Sequence, residues 1–443
     1  MLLPARRASL GLLATLLALT ASCGIGGDSR DIPPAPTAAP GGTDVFVYVA
    51  EATDPEFGTS GGAVSLYQVG ADGSLPGGPP IRTVPAVNPR RLVFHPTLPV
   101  LYVATLNQIL AFDVTGGALV SLCGGSGTTL AAPCATSPRA DANPIDMTVE
   151  QAEDGNFVLY VVEQGNQNQL SQITAYPLDP DGGLPEFPGS SARAVDAFFY
   201  LGFAVAGPFG YAADPSRSGY DRFPIQADGN FPYPAPTPSP QGAPTPTPTP
   251  TPGPDPTPEP TASPSFFFLD DVGPAKTIKV VPPQPSPDGS PATLYTVQQG
   301  GPRIGQIPVD SAFNLPPNTA SSSPTRGIYN ELLVVPSMSR IYGAGFQIGQ
   351  VDSFALSADG LIDRNSLSTT FANTAQFPTG LAYFEQASVS GGIRRTMLVS
   401  LGGFARVDAY EVFDDGTIAE LPFSSTEPRT GTFPSDVAVL VVE

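Results

Sequence analysis

From Asp44 to the end of the chain, apolar residues alternate with polar ones in short runs, and the runs recur as a two-part signature. The first part is an apolar strand with a Tyr near its start. Its copies are Val47-Tyr48-Val49, Leu101-Tyr102-Val103, Leu159-Tyr160-Val161, Gly210-Tyr211-Ala212, Leu294-Tyr295-Thr296, Ile341-Tyr342-Gly343 and Met397-Leu398-Val399. The second is an alternating pair and a turn, as in Tyr67-x-Val69 before Asp72-Gly73, or Tyr176-x-Leu178 before Asp181-Gly182. Phe112-x-Val114, Phe223-x-Ile225, Ile307-x-Val309, Phe354-x-Leu356 and Tyr410-x-Val412 are the other copies, three of them followed by Asp-Gly. Alternation with Asp-Gly, which readily takes the positive φ of a hairpin turn, predicts strands joined by tight hairpins.

A Pro-led apolar run precedes the Tyr strand in several copies, at residues 89–94, 144–149, 324–335, 378–384 and 434–442. A period of roughly 45 to 55 residues with several strands per unit predicts a β-propeller and not a helical solenoid. The fold expected is all-β: a seven-bladed propeller of four-stranded antiparallel blades spanning residues 44–443. The chain begins on a Tyr strand without a predecessor and ends on a predecessor without a Tyr strand. Residues 435–443 are therefore expected to complete the blade begun by residues 45–50, which removes exposed sheet edges.

The segment Asn88-Pro89-Arg90-Arg91-Leu92-Val93-Phe94-His95-Pro96, followed by Leu101-Tyr102-Val103, resembles the repeat of the lactonase-like propeller family of 6-phosphogluconolactonase type. The resemblance implies a seven-bladed ring. Some members of that family act on sugar lactones or cyclise muconate with combinations of His, Arg and Glu. No stretch of this chain matches such a catalytic motif, so no catalytic residue is carried over.

Arg6 and Arg7, an apolar run over residues 10–21, then Ser22 and Cys23 predict a signal peptide over residues 1–22. Cys23 is the expected lipidation site of a bacterial lipoprotein. Residues 23–43, rich in Pro, Ala and Gly, read as a flexible tether. The apolar run is shorter than the roughly 20 residues a spanning helix needs, so the expected contact with a membrane is the lipid anchor alone. Export to the cell envelope follows, at the outer membrane or the cell surface.

Forty acidic residues against twenty basic ones give a net charge of −20. Nucleic acid is thereby excluded as a partner, since its binders need a basic face. Cys123 and Cys134, in a Gly-, Ser- and Ala-rich stretch, are expected to form a disulfide in an oxidising compartment. Residues 232–264 are close to alternating Pro and Thr and are expected to be a disordered surface insertion within a blade.

Chemistry is sparse. His95 is the only histidine and falls in a turn. Gly58-Thr59-Ser60-Gly61-Gly62 fits the spacing of a nucleophile elbow but precedes a strand, not the helix that motif requires. Asp179-Pro180-Asp181-Gly182 begins like a calcium loop and lacks the later ligands. No metal site and no cofactor are expected. Residues just after the Tyr strands should gather at the channel, which nominates Glu51, Glu163, Asp214 and Gln298.

Three readings follow. The first is a monomeric envelope lipoprotein whose propeller is a binding or scaffolding module for a protein or glycan partner. The second is a lactonase-type hydrolase, distinguished by Arg and Glu held close together at the channel mouth. The third is a structural surface protein in which the Pro/Thr arm matters most.

Overall fold

Two units divide the chain, residues 1–34 and 35–443. A computed structural model describes residues 44–442 apart from loop segments, the longer of which are 53–61, 124–134, 137–142, 194–199, 233–264, 269–274, 282–292, 310–320, 372–377 and 427–432. Cys23, Ser60 and Cys134 lie outside the described residues, as do the leader, the tether and nearly all of the Pro/Thr tract.

The described chain is all-β, a propeller of four-stranded antiparallel blades, with short 3-10 turns as its only helical pieces. Sheet 1 joins Pro434–Val442 to Asp44–Glu51, Gly62–Gln68 and Arg82–Ala86. Sheet 2 runs Arg91–Phe94, Val100–Ala104, Gln108–Asp113 and Val120–Ser121, with Ala135–Thr136 as an extra partner of its third strand. Sheet 3 holds Asn143–Gln151, Phe157–Gln164, Gln172–Pro177 and Ser190–Ala192. Sheet 4 holds Phe203–Ala206, Phe209–Asp214, Gly219–Pro224 and Ser265–Phe268. Sheet 5, described in part, holds Ala275–Val281, Thr293–Gln298, Arg303–Pro308 and Ser321–Pro324. Sheet 6 holds Tyr329–Val335, Arg340–Gly345, Gln350–Ala355 and Ser368–Phe371, and sheet 7 Pro378–Ala387, Ile393–Leu401, Arg406–Val412 and Ile418–Ser425.

The first strand of each sheet touches the first strand of the next, in order around the molecule. The last strand of the chain pairs with the first described one, from Asp44 opposite Val442 to Glu51 opposite Pro434. Because Ser265–Phe268 pairs with Gly219–Pro224, the Pro/Thr tract falls between the third and fourth strands of sheet 4.

Both faces of a second strand are covered, so its residues pack alternately on the sheet before and the sheet after. In Asp44–Glu51, Val45, Val47 and Val49 join Leu398, Val407 and Ala409 of sheet 7, whereas Phe46, Tyr48 and Ala50 join Leu92, Leu101 and Phe112 of sheet 2. Comparable clusters fill the junctions of sheets 2 and 3, 3 and 4, 5 and 6, and 6 and 7. Full burial of each large apolar side chain contributes roughly 1.5–3 kcal/mol, so these junctions carry most of the stability.

The repeating Tyr has a second task. Its hydroxyl donates to a carbonyl in the hairpin turn of the following sheet: Tyr48 to Ala118 O (3.0 Å), Tyr102 to Gly182 O (2.7 Å), Tyr160 to Gly229 O (2.6 Å), Tyr342 to Gly416 O (3.3 Å), and Tyr295 to Gly360 O. The two halves of the sequence signature are thus one contact made across a junction. The turn glycines Gly182 and Gly229 have φ of 82° and 78°, the left-handed region expected of an Asp-Gly hairpin.

Candidate functional site

At the opposite end from those turns the first strands open with a recurring irregularity. The pairing of sheet 1 skips a residue between Asp436 and Pro434, that of sheet 3 between Asp146 and Pro144, and that of sheet 6 between Glu331 and Tyr329. Sheets 5 and 7 skip one residue likewise, before Thr277 and Gly380. Each skip is a β-bulge, which bends a strand and re-aims the side chain that follows it. In sheet 2 the equivalent residue is Arg91, opposite Ala104, since Arg90 N–H also bonds to Ala104 O.

The re-aimed side chains meet at the axis. Arg91 donates through Nη1 and Nη2 to the two carboxylate oxygens of Glu331, at 2.9 and 3.0 Å. Its Nε lies 3.1 Å from Asp146 Oδ1, and its Nη1 lies 3.6 Å from Asp436 Oδ1. One guanidinium therefore links sheets 2, 3, 6 and 1, and its fork geometry suits the two-pronged pairing with Glu331. The four side chains keep little exposure, 14% for Arg91, 10% each for Asp146 and Glu331, and 5% for Asp436.

Gly380 makes room for this arrangement. A Cβ there would stand 2.7 Å from Asp436 Oδ1 and 3.0 Å from Asp436 Cα. Asp436 is further fixed by Leu92 N–H (2.8 Å) and Val437 N–H (2.9 Å). Burial pushes its carboxyl up to about 6, Arg91 opposing and Glu331 adding to the rise. For Arg91 burial acts against the charge, but Glu331, Asp436 and Asp146 outweigh it and hold the guanidinium protonated. In this layer three carboxylates surround the Arg91 guanidinium, and Asp436, its carboxyl raised by burial, is placed to exchange a proton near neutral pH.

Of the residues nominated from the sequence, Glu51 and Asp214 end their second strands at this same end and Glu163 stands one residue before the end of its own, all one strand outward from the axis and buried. Glu51 faces Pro434 and Glu163 faces Pro144, beside the bulges. Glu163 accepts a hydrogen bond from Gln172 Nε2 at 2.5 Å. Gln298 ends its strand opposite Ala275, and its side chain lies outside the described ones. The nominated residues and the axial four thus share a level of the molecule but form separate rings. The signal for the inner ring was present as a charge two residues after a proline, in Pro89-x-Arg91, Pro144-x-Asp146 and Pro434-x-Asp436.

His95 is buried in the turn after Arg91–Phe94, at the other end of that strand from Arg91. Its Nδ1 accepts from Thr97 N–H and Leu98 N–H, both at 3.2 Å, and its ring packs edge-on to Phe157 at 4.4 Å. Such a ring shapes a turn. Asp181 accepts from Gly183 N–H within the hairpin after the third strand of sheet 3, and Gly182 N–H donates to Asp179 O, so that stretch is a turn as well. Among the described residues no group of three or more His, Cys, Asp or Glu is arranged to hold a metal ion.

No family model matches the chain, and no curated protein does. Solved structures do. A periplasmic gluconolactonase of Pseudomonas aeruginosa is similar over 90% of this chain and 99% of its own, with 17% identity and a TM-score of 0.59. A putative 6-phosphogluconolactonase from Bacteroides fragilis covers 92% and 100% at 15% identity and a TM-score of 0.58. A second putative 6-phosphogluconolactonase, from Bacteroides uniformis, covers 90% and 99% at 14% identity and a TM-score of 0.57. Identity at this level speaks for a shared fold.

Proposed function

We propose that this chain is a seven-bladed member of the lactonase-like propellers, exported as a lipoprotein, that hydrolyses a lactone at its axial layer. The pairing of Arg91 with Glu331 across the axis carries the reading, because Arg and Glu held together at the channel mouth is what separates a lactonase-type site from a plain binding disc. The count of seven blades is supported by first strands touching in order around the molecule and by the closing pair of terminal strands.

In this reading the lactone carbonyl oxygen takes its hydrogen bond from Arg91, which stabilises the oxyanion of the tetrahedral intermediate. Asp436 takes a proton from the attacking water as the new C–O bond forms, and returns it to the ring oxygen as the old C–O bond breaks. Its carboxyl, raised to about 6, suits a base working near neutrality. Glu331 and Asp146 fix the orientation of the guanidinium. Cys23 would carry the lipid anchor, and Cys123 would pair with Cys134. The protein would act as a monomer in the envelope.

A second reading, a binding module for an envelope protein or glycan, is favoured by the mutual pairing of the layer, in which each charged group already has a partner. Acid release from a panel of aldonolactones and aryl esters at neutral pH tells the two apart. Turnover lost in R91Q and D436N supports hydrolysis, and a flat panel from the folded protein leaves the binding module.

A further inference from the structure

We infer that the hairpin end of the propeller rests on the zwitterionic surface of the membrane that holds the lipid anchor, with the axial layer turned away from it; this rests on the lipoprotein part of the proposed reading. The chain enters the propeller at Asp44, which pairs with Val442 at the hairpin end of sheet 1. A coil as long as residues 24–43 reaches about 25 Å. The strand Asp44–Glu51 rises about 3.3 Å per residue, so a sheet is itself roughly 26 Å tall. Turning the axial end to the membrane would use the whole reach of that segment in passing the sheet, whereas facing the hairpin end to it uses none.

The surfaces of the two ends differ in the same sense. Among the described residues, the large apolar side chains left exposed stand mostly at or near the hairpin end: Ile81, Val120, Leu361, Ile393, Phe413 and Val441, against Leu106 and Phe433 at the bulge end. The most exposed, Ile393 (60%), opens the second strand of sheet 7, and Phe413 (44%) follows its third. Those strands pair with Thr396 opposite Glu411, a register that carries Phe413 beside Arg394, the neighbour of Ile393. Val441 stands on the adjoining sheet 1, next to the partner of Asp44, so this apolar corner lies where the anchored chain enters. Burying such side chains at a lipid interface removes them from water. Arg394 and Arg395 are engaged by carboxylates, Arg394 by Glu411 (4.0 Å) and Arg395 by Glu385 (3.4 Å) and Asp414. A chain of net charge −20 is repelled by anionic headgroups, so the corner suits zwitterionic lipid. The anchor holds that surface at an effective concentration in the millimolar range, so a contact this small suffices.

The chain has no Trp, so a single introduced one reports alone. F413W at the hairpin end and L106W at the bulge end are placed singly in the full mature lipidated chain, reconstituted in phosphatidylcholine vesicles with and without brominated acyl chains. F413W should lose at least about half its emission to the bromines and shift to the blue, while L106W keeps its emission. I393D should restore most of the F413W emission, because a charge beside the ring opposes its burial in lipid. L106W quenched as strongly as F413W, or F413W unquenched in chains that float with the vesicles, overturns the inference. Quenching that I393D leaves unchanged overturns it as well, since nearness imposed by the tether alone would give that result. A mature chain whose mass shows no lipid at Cys23 breaks the lipoprotein reading instead. The contact is then read with residues 24–443 held by an N-terminal hexahistidine tag on nickel-chelating phosphatidylcholine vesicles, where the same Trp outcomes decide it.

Discussion

The two ends of this molecule solve the same problem, joining one sheet to the next, in opposite ways. At the hairpin end a neutral contact repeats: a Tyr hydroxyl donates to a turn carbonyl at five junctions. At the bulge end the backbone repeats and the side chains do not. The equivalent position holds Asp436, Arg91, Asp146, Thr277, Glu331 and Gly380. Repetition is what a scaffold built from copies should show. Its loss at one backbone position, in favour of mutually dependent charges, marks where one copy was fitted to another and not to the ring as a whole.

The junction of sheets 7 and 1 joins the two kinds of end. Leu398 stands where the other second strands carry Tyr, so the hydroxyl contact is replaced by the apolar cluster with Val45, Val47 and Val437. The same junction is held near the axis by Thr379 Oγ1 donating to Pro434 O (2.7 Å), and the next one, of sheets 1 and 2, by Ser435 Oγ donating to Pro89 O (2.7 Å). At this junction the bulge end thus supplies the hydrogen bond that the hairpin end, with Leu398, does not.

The largest effect is expected from truncation after Pro434. It removes the inner strand of sheet 1 and Asp436 together, opens two junctions, and should abolish cooperative thermal unfolding by circular dichroism. An unchanged Tm would contradict closure through this strand. Next comes R91Q, which leaves three carboxylates buried without their cation. A loss of about 3–5 kcal/mol in urea unfolding at pH 7 is expected, shrinking as pH falls and the carboxylates take up protons.

G380A should cost about 1–3 kcal/mol, because the added methyl meets Asp436 at contact distances its backbone cannot relieve. The same change should lower kcat more than it raises KM if Asp436 is the base. Y160F, at the hairpin end, should cost only about 1 kcal/mol, the net worth of one hydrogen bond. Should Y160F prove as damaging as R91Q, the contrast between the ends would fail.

Asp436 gives the comparison a pH axis. Its folded carboxyl titrates at about 6 against an unfolded value of 3.8, so the folded chain binds more protons between these values. Its contribution is therefore most favourable below about pH 4 and is lost as pH rises through 6. D436N should flatten the stability profile between pH 4 and 7, as followed by urea unfolding across that range.

The scaffold was legible because it is built by repetition. Tyr48, Tyr102, Tyr160, Tyr295 and Tyr342 recur in register, and Asp-Gly recurs after the third strands, so strand order, hairpins and the terminal pairing could be read without knowing which residues touch. That the Tyr and the Asp-Gly turn of successive copies are partners was not legible, since a junction brings together residues 65 to 80 apart, as with Tyr295 and Gly360 or Tyr102 and Gly182.

Of the axial site the sequence carried only a charge two residues after a proline, at Arg91, Asp146 and Asp436, and neither Glu331 nor the meeting of the four was legible. Position just after the Tyr strands pointed to Glu51, Glu163, Asp214 and Gln298, but the Tyr strands stand second in their sheets, and the bulges of the first strands place Asp146, Glu331 and Asp436 inward instead. A bulge carries no fixed residue signature beyond the Pro before it, because it is stabilised by the neighbouring strand. Composition fixed the acidity of the chain, and local pattern fixed its strands, turns and order. Only the closed ring could decide that Arg91 and Glu331, 240 residues apart, would share one pair of hydrogen bonds across the axis, because that distance is set by the radius of the assembled sheets and by nothing local to either residue.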